Sequence, residues 1–283
     1  MNLRRFDDAT AFLAAVESTL LENEAENALI LGVALRVRDG HSYGDERPFF
    51  ASVEDDGRTD VVAVRTPPHN LLVREETGSS EGLRLIASHL AGARVHLPGV
   101  HGPRSSADRF ARAWTDAAGV RSEIGMEQRL YRLTEVTAPT GVPGRFRLAE
   151  SKDRDLLVEW IGAFVEEAVG SPHADPGVMV DRLMAAESLA VWDIGRPVSM
   201  AGSGRPTPSG ISINLVYTPP EERGNGYASA CVAALSRRHL RGGKLYCTLF
   251  TDLSNRTSNA LYQRIGYRPL DDFIEIRFSS KTD

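Results

Sequence analysis

Residues 210–240 constrain the fold more than any other stretch of this chain. Gly210 to Tyr217 alternates Ile211, Ile213 and Leu215 against Ser212, Asn214 and Val216, which predicts a strand with one buried face. Pro219 and Pro220 have no N–H to give to a ladder, so the strand must stop there. Gly224 and Gly226 then permit positive φ and close approach of the backbone to a ligand. A helix is predicted from about Gly226 to Leu240. Unpaired N–H groups at such a helix start, with the helix dipole behind them, suit a pyrophosphate. The plain alternative is a glycine-rich turn that opens an amphipathic helix.

The elements around this segment alternate between strand and helix. Residues 136–144, VTAPTGVPG, contain two prolines, two glycines and no charge, which reads as a linker between halves of ordinary domain size. After it come a strand (Arg145 to Ala149), helices at Asp153 to Val169 and Pro176 to Ala186, and a hairpin of Leu189 to Ile194 with Pro197 to Gly202. The strand and helix of residues 210–240 follow. Lys244 to Phe250 is then a strand, Thr257 to Ile265 a helix and Tyr267 to Phe278 a closing pair of strands. The first half repeats this order faintly. Ala11 to Ala34 gives one or two helices, Phe49 to Val53 and Val61 to Arg65 a hairpin, Asn70 to Arg74 a strand and Ser80 to Leu90 a helix. Ala93 to Leu97 and Met126 to Thr134 are read as strands around a helix from Ser105 to Trp114. The order and spacing suggest duplication followed by divergence, and a mixed α/β (α+β) fold.

Composition removes several functions. The charge sum over 283 residues is 33 − 38 = −5, with only three lysines and scattered arginines, against a nucleic-acid surface. No apolar run reaches the length of a membrane span, and the start lacks a signal-peptide pattern, so a soluble cytoplasmic protein is expected. Cys231 and Cys247 cannot build a disulfide framework or a zinc site and read as core residues. His89, His96 and His101 lack the further ligands a metal needs, so no metal is expected.

Arg223-x-x-Gly226-x-Ala228, preceded by a strand that ends Val-Tyr-Thr-Pro-Pro, resembles the acetyl-CoA motif of the GNAT (GCN5-related) N-acetyltransferases. Asn255, Ser258-Asn259-Ala260-Leu261-Tyr262 and Ile265-Gly266-Tyr267 are similar to that family's later helix. The resemblance implies two tandem GNAT-like domains, each a central, mostly antiparallel twisted sheet flanked by helices. Residues 1–135 would form a degenerate copy and residues 145–283 the catalytic one. The first copy has no Arg-x-x-Gly-x-Gly/Ala between its Asn70 strand and Ser80 helix.

What the resemblance implies about the site is specific. Acetyl-CoA would be the co-substrate, held by Leu215, Val216, Tyr217, Thr218, Arg223, Gly224, Asn225, Gly226, Tyr227, Ala228 and Ser229, with Asn255 and Ser258 on the later helix. The strand end at Val216 to Thr218 would splay from Lys244 to Phe250, and the pantetheine arm would pair in the gap as an added strand. An N–H near Val216 would hold the thioester oxygen, and Tyr262 would protonate the departing sulfur. Ser212 stands where histone-type members carry a glutamate base. Ordered water, Glu166, Glu167 or another carboxylate remain open for that role. The expected partner is a small-molecule primary amine, with no nucleic acid and no membrane, and the chain is a monomer or homodimer. Two readings stand: an N-acetyltransferase, or an acyl-CoA-binding protein that senses or scaffolds without turnover.

Overall fold

The computed structural model describes residues 1–76, 78, 80–168 and 175–280. In chain order the first elements are β1 (Asn2–Phe6), α1 (Ala9–Glu22), α2 (Ala28–Arg38), β2 (Phe49–Asp55), β3 (Arg58–Arg65), β4 (Leu71–Glu75), α3 (Glu81–Gly92), β5 (Gly99–Pro103), α4 (Arg104–Ala118) and β6 (Arg121–Leu133). They are followed by β7 (Arg145–Leu148), α5 (Arg154–Ala168), α6 (Pro176–Ala185), β8 (Leu189–Asp193), β9 (Pro197–Gly204) and β10 (Gly210–Tyr217). The chain then continues through α7 (Tyr227–Arg241), β11 (Tyr246–Asp252), α8 (Arg256–Arg264) and β12 (Arg268–Ser279). Val169, placed by the sequence pattern at the end of the helix after the first strand of the second half, lies outside the described residues.

Two compact units result. One holds Met1–Leu130, Thr251–Ser254 and Leu270–Asp283; the other holds Tyr131–Phe250 and Asn255–Pro269. The mixed α/β class and the largely antiparallel pairing expected from the sequence are both present. The segment 136–144 belongs to the second unit, where the Thr137 N–H donates to the Ile265 carbonyl and the Trp192 indole N–H to the Pro143 carbonyl.

In the first unit the strand order is β1-β2-β3-β4-β5-β12, with only β4 and β5 parallel. The β2–β3 hairpin turns on Asp56 (φ +46) and Gly57 (φ +76), a pair of left-handed residues whose twist matches that of the flanking strands. One face of the sheet packs on α3 and α4 through Leu83, Ile86, Phe110 and Trp114. The other buries Phe12, Leu20 and Leu31 of α1 and α2.

Two sequence expectations fail here. Residues 93–97 are no strand: Arg94 is left-handed (φ +54) and the Ala93 and Val95 N–H groups close the end of α3. The strand is Gly99–Pro103 instead. Its glycines let neighbouring strands close in, because a Cβ on Gly99 would lie 2.5 Å from the Ile276 carbonyl oxygen. The closing pair of strands is likewise a single strand, β12, which pairs with β5 from Phe273 to Arg277.

The second unit orders its strands β7-β8-β9-β10-β11. Leu157, Trp160, Ile161 and Val180 of α5 and α6 pack on one face, and Cys231, Val232 and Leu235 of α7 with Tyr262 of α8 on the other. Trp160 is therefore core, and both cysteines are buried. Arg147 ties three elements together, donating to Asp153 at 2.5 and 2.9 Å and to Asp193 at 2.6 Å.

Candidate acyl-CoA site in the second unit

The site is built on a strand that pairs with β9 along most of its length and parts early from its neighbour on the other side. β10 runs parallel to β11 only while Gly210 faces Tyr246, Ile211 faces Cys247 and Ser212 faces Thr248. Beyond Ser212 the two strands separate, so the β11-facing backbone groups that follow have no ladder partner there. Backbone groups of this kind need a partner of some kind, and an extended ligand lying along the open edge can supply it.

The separation coincides with a bulge. The β9–β10 register shifts between Asn214 and Tyr217, and Leu215 takes φ +50. That conformation costs a bulky residue roughly 1–2 kcal/mol and re-aims the strand. It also corrects the alternation read from the sequence. Leu215 leaves the face of Ile211 and Ile213 to pack with the α5 cluster, while Val216 turns to the α7 cluster.

The chain then enters the loop at residues 218–226. The Thr218 hydroxyl donates to Ser199 Oγ at 2.8 Å, and its carbonyl accepts the Arg223 Nε–H at 2.9 Å. Pro219 and Pro220 form one wall of a 350 Å³ cavity whose lining includes Trp160 and Tyr217. Gly224 (φ +85) and Gly226 (φ +80) are both left-handed, and Gly226 is the N-cap of α7 with no side chain to satisfy the first turn. Ala230 is the first residue whose N–H bonds back to it. The amides of Tyr227, Ala228 and Ser229 are thus the orphan donors of a 15-residue helix, the arrangement that favours an anion.

Several predicted side chains are used differently from the expectation. The Arg223 guanidinium pairs with Glu167 (2.8 and 3.0 Å) and lies over the Tyr217 ring, so it braces the loop against α5. The same pair commits Glu167, one of the carboxylates considered as a base, and Glu166 is exposed. The Asn225 amide donates to the Glu222 carbonyl. Asn255 caps α8: its Oδ1 accepts the Ser258 N–H at 2.9 Å, which leaves its Nδ2 for a ligand and removes that Ser258 amide from the ligand set.

Tyr262 is 7% exposed and packs edge-on to Tyr267, with ring centroids 5.9 Å apart. Its hydroxyl makes no hydrogen bond within the described residues. Burial pushes its pKa well above the ordinary tyrosine value, so it is an O–H donor at neutral pH. A polar trio whose role the sequence did not flag ties α8 to β6: the Tyr131 hydroxyl donates to Asn259 Oδ1 at 2.8 Å and accepts the Gln263 Nε2–H at 3.3 Å. Ser212 is 3% exposed, with its Oγ 3.2 Å from Thr248 Oγ1 and 3.4 Å from Arg205 Nη2. A hydroxyl in that setting beside a cation is no base.

The residues fit a nucleotide thioester: an open strand edge on β10, unused helix-start amides on α7 and a buried phenol on α8 belong to the same unit. Among the described residues no helix is long and apolar enough to cross a membrane, and no group of three or more His, Cys, Asp or Glu side chains is placed to hold a metal ion.

Comparison with known proteins gives the class. A sequence family described as FR47-like protein matches residues 195–274, the span that contains the predicted cofactor-binding residues and Tyr262. No curated protein matches the chain. Among solved structures, a Drosophila protein is similar at TM-score 0.66 and 13% identity, covering 98% of each chain. A GCN5-related N-acetyltransferase from Sphaerobacter thermophilus is similar at TM-score 0.60 and 21% identity, covering 98% of this chain and 95% of that one. A tandem GNAT protein from the clavulanic acid biosynthesis pathway matches at TM-score 0.57 and 13% identity over 100% and 99%.

At these identities the likeness is one of fold. The chain has the GNAT fold from end to end, and between residues 195 and 274 it carries the FR47-like sequence pattern.

Proposed function

We infer that the second unit transfers an acetyl group from acetyl-CoA to a primary amine of a small acceptor. The observation that carries this reading is the parting of β10 from β11 after Ser212, at a bulge that leads into the left-handed Gly224 and Gly226. The co-substrate supplies an acyl carbon already activated as a thioester. The amides of residues 227–229 face its diphosphate, and the open edge of β10 takes the pantetheine amides. The Val216 N–H accommodates negative charge that builds on the carbonyl oxygen during attack.

The amine must arrive neutral. As its nitrogen bonds to the acyl carbon the C–S bond breaks, the electron pair leaves on sulfur, and the Tyr262 hydroxyl supplies the proton. The proton lost by the amine goes to water, since Ser212 is no base and Glu167 is held by Arg223. That missing carboxylate favours a second reading, an acyl-CoA-binding protein without turnover.

Release of free CoA thiol from acetyl-CoA across a panel of primary amines separates the two. Turnover that falls in Tyr262→Phe while CoA affinity holds supports the transferase. CoA binding with no thiol release from any amine supports the binder, and absence of CoA binding refutes both.

A further inference from the structure

The first unit contains a second loop with the same backbone signature, and an anion belonging to the chain already sits in it. Gly78 (φ +77) and Ser80 (φ +64) are left-handed two residues apart, and α3 starts directly after Ser80, as α7 does after Gly224 and Gly226. In neither unit does the N-cap side chain satisfy the helix start. A serine in the left-handed region is disfavoured, so the conformation is held there by something besides local preference.

That something is Glu75, the last residue of β4. Its Oε1 accepts the Ser80 N–H at 2.7 Å, and its Oε2 accepts the Nε–H of Arg109 on α4, also at 2.7 Å. The Glu75 side chain is 0% exposed, while Arg109 keeps 30% of its side chain open to solvent. The backbone of Glu75 is fixed as well, because its N–H donates to Ser106 Oγ. A buried carboxylate therefore meets a helix-start amide and a guanidinium, the two kinds of group that bind a phosphate.

The geometry follows from loop length. Nine residues, 218–226, separate β10 from α7, whereas five, 76–80, separate β4 from α3. The short loop brings the end of the strand within side-chain reach of the helix start. We propose that Glu75 is a built-in ligand that closes the anion cradle of the first unit, so that each chain binds one CoA, in its second unit. To enter the first, a diphosphate must expel a buried carboxylate from both of its partners.

Two measurements on the full chain test this. Calorimetry with CoA should give one site per chain, and Gly226→Val should abolish it. Two sites, or a site that survives Gly226→Val, would overturn the proposal. No site at all in the wild type removes the function proposed above, and the second measurement then decides this inference alone.

In that measurement inorganic pyrophosphate is added to wild type and to Glu75→Ala, with saturating CoA present where the second unit binds it and without CoA where it does not. The emptied cradle should bind it, raising the melting midpoint of Glu75→Ala by about 2–4 °C at several times the dissociation constant and leaving wild type unmoved. Equal shifts, or none in either protein, refute a cradle filled by Glu75. Glu75→Gln, which keeps an acceptor for the Ser80 N–H but drops the charge, replaces the alanine variant if that one does not fold.

Discussion

Gly226→Ala separates backbone conformation from packing at the proposed diphosphate loop. Gly226 holds φ +80, and a Cβ added there would lie 3.1 Å from Val142 Cγ2. The left-handed conformation costs an alanine roughly 1–2 kcal/mol, and the contact asks Val142 to move by a few tenths of an ångström. In the free variant the loop relaxes toward negative φ and the amides of residues 227–229 turn away. Binding must then restore the strained form, so the dissociation constant for CoA should rise by that same free energy, about 5- to 30-fold.

Gly224→Ala is the reference, because Gly224 is also left-handed (φ +85) but its Cβ would meet nothing within 4 Å. It should show the conformational part alone. Adding Val142→Ala to Gly226→Ala should return the packing part and no more. Isothermal calorimetry with CoA on the four proteins measures each difference. If Gly226→Ala binds CoA as tightly as wild type while melting at the same temperature, the left-handed N-cap has no part in holding the nucleotide and the site assignment is wrong.

Three further outcomes follow from particular contacts. Tyr262→Phe keeps a ring of the same shape in the core and loses a hydroxyl with no hydrogen-bond partner among the described residues, so thermal unfolding should barely change while kcat drops about 10²–10⁴-fold; a loss of CoA affinity instead would make Tyr262 a packing residue. Arg147→Leu strands two shielded carboxylates and should destabilise the protein by about 3–5 kcal/mol in denaturant titration. In wild type, burial works to raise Asp153, but the Arg147 and Glu150 hydrogen bonds hold it below the ordinary carboxylate value, and Arg147 with the Gly195 N–H does the same for Asp193. Their stabilisation is therefore present above about pH 4 and declines as acid protonates them, a slope that should flatten in Arg147→Leu. Burial pushes both thiols, Cys231 and Cys247, up to about 12, so neither should react with a disulfide reagent at neutral pH until the chain unfolds.

Most helices were legible because their signals are local. The Asp56-Gly57 hairpin and the amphipathic α5 and α7 follow from turn chemistry and three-to-four spacing within a single segment. The candidate site was legible for a related reason: two prolines and two glycines at fixed offsets restrict φ whatever surrounds them. Three features escaped. Gly99–Pro103 is a strand because neighbouring backbones come too close for side chains, which only their approach reveals. Leu215 breaks an alternation that its own sequence continues. Glu75 looks like an ordinary strand end until Arg109, 34 positions away, is brought beside it.

The residues themselves settled where the backbone must stop, turn and restart, since proline removes donors and glycine admits positive φ without outside help. Tertiary structure decided what those turns are used for. Whether a helix start is left open, as before Tyr227, or filled by a carboxylate, as before Glu81, depends on loop length and on a guanidinium from a distant helix. Electrostatic pairing between remote positions leaves no periodic trace along a chain.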